Sequence, residues 1–167
     1  MDNKQILDIM AKENNNNELT LKIYKAFANN DLAQWDGVIH PDVKLNSPAG
    51  RGLAGIETLK SFAGAFHAAF RPTVDLIDHY VAGDRGLVTV NLHWKHDGEE
   101  FYGIKPSGQG GTSVETFLLR IENGLVTHWD TADNSLDLAN YLFSEGYDLP
   151  KEVKPPALIE GPNIHGR

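Results

Sequence analysis

At 167 residues with 41% apolar side chains, the chain is long enough for one domain with its own core and needs neither metal nor disulfide to hold it together. Fifteen Lys and Arg stand against 23 Asp and Glu, a formal charge of -8, and no basic run could follow a phosphate backbone, so nucleic acid is not an expected partner. The lack of cysteine excludes disulfides, thiolate metal sites and thiol nucleophiles.

The first residues, MDNKQILDIMAKENNNN, carry acidic and amide groups where a secretory signal would be basic and then apolar, which predicts a cytoplasmic protein. No apolar run approaches the roughly 20 residues that span a bilayer, so no membrane association is expected. Ile6, Leu7, Ile9 and Met10 predict a short helix that loosens at the four asparagines 14–17, whose amides compete for backbone hydrogen bonds. Leu21, Tyr24, Phe27 and Ala28 then recur at helical spacing, and Asn29-Asn30-Asp31 supplies a stop and a new cap for a second helix over 32–39. Pro41 closes that pair, and Val43 to Leu45 fits a short strand before the turn at Ser47 to Gly50. Ile56, Leu59, Phe62, Phe66 and Phe70 define a further helix ended by Pro72.

Beyond Pro72 the apolar period changes from 3.6 to 2. Thr73 to Ala82 and Leu87 to Lys95 form a hairpin, Glu100 to Ile104 a further strand, and Thr112 to Ile121 pairs with Leu125 to Asp133 across Asn123-Gly124. Asn134 caps a short helix through Phe143, and the four prolines between 150 and 162 leave residues 147–167 as an extended tail outside a single domain of residues 1–146. Helices first and a meandering sheet afterwards give an α+β fold.

Several stretches, in order over residues 18–145, resemble the SnoaL-like family of polyketide and ester cyclases. They are Tyr24 to Asp31 with His40-Pro41-Asp42, Gly52 to Phe62, Phe101 to Gly108, and above all Leu119 to Asp133, LRIENGLVTHWDTAD. The resemblance implies an NTF2-like cone, in which a strongly curved mixed or antiparallel sheet packs against N-terminal helices and leaves a small-molecule pocket, and it implies a homodimer paired through its sheets. It also implies that Asp133, at the end of the "HWxxxD" strand, is the general acid and base of an aldol cyclase or isomerase. A base in an apolar cavity suits that chemistry, because removing a proton from the carbon α to a carbonyl needs a carboxylate whose proton affinity desolvation raises. The match departs from the family in the stretch Lys95 to Phe101, which aligns Asp97 with the histidine of the family's "H-x-G-x-F" and leaves His96 one step away, and at Asn46, where many members have histidine after the first strand.

On this reading Asp133 and His128 are the candidate catalytic residues, although His128 has the opposite strand parity, and Trp129, His93, Asn46, Trp94, Phe66 and Phe101 are candidate ligand contacts. The expected ligand is small, and apolar or carbonyl-bearing. No cofactor is expected, and no metal, since His93 and His96 differ in parity and no third ligand converges on them. Two readings of other kinds stand beside the enzyme: a non-catalytic binding module of the same fold, and a structural protein whose sheet face serves mainly for dimerisation, which a filled interior would favour.

Overall fold

The computed structural model describes residues 2–48, 52–133 and 137–146. Helix α1 spans Asn3–Ala28, a 3-10 turn follows at Leu32–Trp35, and β1 (Ile39–Asn46) and β2 (Leu53–Ala54) precede α2 (Ile56–Phe70). Strands β3 (Thr73–Ala82), β4 (Arg85–Lys95), β5 (Gly110–Glu122) and β6 (Leu125–Asp133) lead to α3 (Asp137–Gly146). The six strands form one sheet in the order β2-β1-β6-β5-β4-β3, antiparallel except where β1 runs parallel to β6. This is the expected α+β architecture. Among the described residues, no helix is long and apolar enough to cross a membrane.

The core lies between the inward rows of the sheet and the helices. On β4 the inward row is Val88, Val90, Leu92 and Trp94, each buried, against Phe66 and Phe70 of α2 and Ile23 and Phe27 of α1. Trp35 has no exposure, donates its indole N–H to the Ile23 carbonyl at 3.2 Å and packs edge-on to Trp129. The 3-10 turn therefore pins the end of α1 to the floor of the sheet.

Three local expectations are corrected. Helix α1 runs unbroken through the asparagines instead of loosening there: Asn16 is 4% exposed and donates its amide to the Gly83 carbonyl at 2.9 Å, at the tip of the β3–β4 turn. Its side chain thus bonds a distant backbone group instead of competing for its own, and tertiary packing outweighs the weak local propensity. Asn16→Ala would orphan that carbonyl, and a loss of about 1–2 kcal/mol is expected; an unchanged urea midpoint would refute this account of the helix. The second helix is only the turn Leu32–Trp35, because β1 already begins at Ile39 and slips its register between Ile39 and Lys44, the kind of irregularity that accommodates Pro41. The expected strand at 100–104 is a tight turn closed by an isolated Phe101–Ile104 bridge, with Tyr102 and Gly103 both at positive φ. The predicted cap at Asn134 and the tail 147–167 lie outside the described residues.

Candidate functional site

The β5–β6 hairpin sets the geometry. Its two-residue turn, Asn123-Gly124, has φ of 52° and 76°, the left-handed pair that matches the twist of the flanking strands. Ile121 pairs with Val126, but Arg120 pairs with His128, so Thr127 is an extra residue on β6. That bulge lets Val126 and Trp129, three residues apart, both point inward. Beyond it the inward row is Trp129, Thr131 and Asp133, and Asp133 stands directly across the ladder from Glu115 on β5.

These residues wall a cavity of about 90 Å³. Phe27 of α1, Trp35 and the Leu59, Phe62, Ala63 and Phe66 stretch of α2 cover one side; Phe117 and Trp129 form the floor; Leu138, Ala139 and Leu142 of α3 close another side. Phe101 enters from the loop after β4, and Ser47 and Pro48 follow the end of β1. Among the described residues, this wall carries hydroxyl and carboxyl groups only at Ser47, Glu115, Thr131 and Asp133. Thr131 accepts the Trp129 indole N–H at 3.1 Å, which fixes the ring over the cavity.

Two carboxyl groups in an apolar wall cannot both ionise freely. Glu115 is pushed up to about 8, first by burial and then by the charge of Asp133. Glu115 retains some accessible surface, which opens into the cavity it lines, so water entering there screens part of the burial penalty. The pair still holds a proton at neutral pH, with Glu115 as its carrier.

The structure brings together some of the residues singled out by sequence. Asp133, Trp129, Phe66 and Phe101 line the cavity. His128 does not: it lies on the outer face of the sheet between Lys44 and Arg120, its Nδ1 3.0 Å from the Thr127 hydroxyl. His93 is also on the outer face, bonded to Thr112 at 2.9 Å and to Asp75 at 3.2 Å. Asn46 bonds Asp130 at 2.8 Å and accepts the Gly52 N–H at 2.9 Å, which ties β1 to β6 and to the approach to β2. Trp94 is buried beside the cavity, edge-on to Phe70 and 5.1 Å from the ring of Tyr141, and is not part of the wall.

His96, next to the family position occupied by Asp97, is fully buried. Its Nδ1 meets the Tyr141 hydroxyl at 2.7 Å and its Nε2 the Glu99 carbonyl at 2.9 Å, while Tyr141 also meets Ser107 at 2.7 Å. The network fastens α3 over the sheet, assisted by the Leu138 N–H, which donates to the buried Ser113 hydroxyl at 3.2 Å. Among the described residues no group of three or more His, Asp or Glu could hold a metal ion.

Glu115 was not among the residues singled out by sequence. Its signal was present: on β5 it alternates in register with Phe117, Leu119 and Ile121, a charged residue in an otherwise core-facing row.

A family model described as the SnoaL-like domain matches residues 21–129, more than half of the chain. The chain belongs to the SnoaL-like family. No curated protein sequence matches it. Among solved structures, this SnoaL-like protein is similar to a candidate SnoaL-like polyketide cyclase from Jannaschia sp. CCS1, at 22% identity and a TM-score of 0.69 over 80% of this chain and 93% of the other. It is also similar to IdmH, a candidate polyketide cyclase from Streptomyces antibioticus, at 22% identity and 0.61 over 75% and 96%. A protein of ketosteroid isomerase-like fold from Catenulispora acidiphila DSM 44928, in complex with trimethylamine, matches at 14% identity and 0.60 over 78% and 94%. At these identities the likeness concerns the fold, and it identifies the SnoaL-like protein as an NTF2-like cone.

Proposed function

We propose that this SnoaL-like protein is an enzyme acting on a small, mainly apolar carbonyl compound, as an aldol cyclase or isomerase, with Asp133 removing the proton from the carbon α to the carbonyl. The observation that carries the reading is the placement of the Asp133 carboxyl in the wall of a mainly apolar cavity. An apolar chamber strengthens electrostatic interactions with the reacting atoms and keeps bulk water from competing for the proton. Aldol closure and double-bond migration both begin with that proton transfer, so one site serves either outcome.

The test is hydrogen exchange at carbon. Incubated in D2O with a panel of cyclic and polyketide-like ketones, the protein is expected to speed loss of the α-hydrogen signal of at least one compound well above the buffer rate. If no compound exchanges faster than in buffer, the enzymatic reading fails; a compound retained in the cavity without exchange would establish the non-catalytic binding module instead. A filled interior would favour the structural-protein reading, and the cavity weighs toward the other two. We place the protein in the cytoplasm as a homodimer; in support of the dimer, the outer sheet face exposes Tyr80 at 53% and Leu118 at 44%, apolar surface of the kind that pairing covers.

A further inference from the structure

We propose that Glu115 is the second half of the catalytic pair, a proton-bearing acid that gives its proton to the substrate's carbonyl oxygen while Asp133 takes the proton from the adjacent carbon. The assignment rests on the Asp133 reading and adds the partner that reading lacks.

Geometry supplies the main argument. Glu115 and Asp133 are direct partners across the β5–β6 ladder, and residues so placed hold their Cβ atoms about 4.5–5.5 Å apart on one face. Both line the same cavity. A carbonyl oxygen and its α-carbon are two bonds apart, so neighbouring carboxyl groups can address the two atoms together. The elements around Glu115 present Val90 from β4, Asp133 from β6 and Leu138 from α3, and Asp133 is the charged group among them. One carboxyl therefore carries the negative charge and the other the proton, consistent with the upward shift of Glu115.

The step balances without an outside reagent. The α C–H bond breaks and its proton goes to Asp133; the electron pair forms the C=C bond; the carbonyl π pair becomes an O–H bond using the proton of Glu115. The product is an enol, Asp133 is now the acid and Glu115 the carboxylate. In an isomerisation Asp133 returns its proton to the γ-carbon of an unsaturated ketone while the enol O–H proton goes back to Glu115; in an aldol closure the enol carbon attacks a second carbonyl, whose oxygen takes the proton of Asp133 while the enol O–H proton goes back to Glu115. The substrate class narrows as a result: the cavity already holds a carboxylate, so it favours neutral ketones over those bearing their own carboxylate near the reacting carbon.

The experiment has two readouts on the full chain. With glutamate labelled at the side-chain carboxyl carbon, 13C NMR from pH 5 to 10 should show one resonance titrating near 8. That resonance should vanish in Glu115→Gln and titrate lower in Asp133→Asn. Its absence in the unsubstituted protein, or its persistence in Glu115→Gln, overturns the proposal. With a ketone that the protein exchanges in D2O, Glu115→Leu, which has no donor, should slow exchange about a hundred-fold, and Glu115→Gln, which keeps an N–H donor, should slow it less. If both variants match the unsubstituted protein, Glu115 has no part in the reaction while the role of Asp133 stands. If the unsubstituted protein exchanges no ketone, the reading of Asp133 fails and the catalytic role of Glu115 falls with it, whatever the NMR titration shows.

Discussion

Asp133→Asn is expected to lower kcat by about a hundred- to ten-thousand-fold, the span a positioned general base contributes, while the dissociation constant for the same ketone changes by less than about three-fold. The amide has the shape and volume of the carboxylate, so the apolar wall that supplies binding is untouched, but it cannot accept a proton from carbon. The substitution also removes the charge that helps keep Glu115 protonated, so any residual rate should shift its pH dependence downward as Glu115 ionises more readily. Steady-state kinetics alongside direct binding measurements decide the matter. A variant within ten-fold of the unsubstituted kcat, or one that loses binding and turnover together, would remove Asp133 from the chemistry.

A second large effect concerns stability. The Glu115 carboxyl is raised from 4.5 to about 8 in the folded protein, so between those values the folded chain holds a proton that the unfolded chain releases. Stability from this group is therefore fully present at low pH and falls as pH rises through the window, with no further loss above about 8. At about 1.4 kcal/mol per pH unit the ceiling is about 5 kcal/mol; the part-accessible face of Glu115 screens some of this and reduces the expectation to about 2–3 kcal/mol. Glu115→Gln does not titrate. Its stability relative to the parent should improve steadily from pH 5 to pH 8, reaching a Tm advantage of about 5–10 °C over whatever offset the two show at pH 5. Comparing the two proteins cancels the titration of every other acid. A difference in Tm that stays constant across that range would show that Glu115 ionises normally.

The sequence displayed the elements whose signals are local. Helix α2 is legible because Phe62, Phe66 and Phe70 repeat on one face and Pro72 stops the run, and the β5–β6 hairpin because Asn123-Gly124 admits little else. What was not legible depended on distant partners. The asparagines of α1 look like a break until Asn16 finds the Gly83 carbonyl. Glu100 to Ile104 reads as a strand, yet Tyr102 and Gly103 turn left-handed and deliver Phe101 to the cavity. Strand parity placed Trp129 and Asp133 on one face and His128 on the other, as the structure has them. The alternation of β5 puts Glu115 on the inward face, but its pairing with Asp133 is hidden: an even count back from the turn sets Glu115 opposite Ala132, one extra residue on β6 moves its partner to Asp133, and nothing in the composition of the hairpin announces that residue.

The same extra residue makes the chain unequally tolerant of shortening. Thr127 lies outside the regular count, so removing it would merge β6 into an even ladder in which Trp129 and Asp133 keep their present neighbours. Removing any one residue between Trp129 and Asp133 would move the carboxyl one step along, opposite Thr116 and onto the outer face. The strand behaves like a text with a reading frame. One letter can be dropped without harm, while the loss of another, a few positions later, leaves a well-formed sheet whose carboxyl has left the cavity.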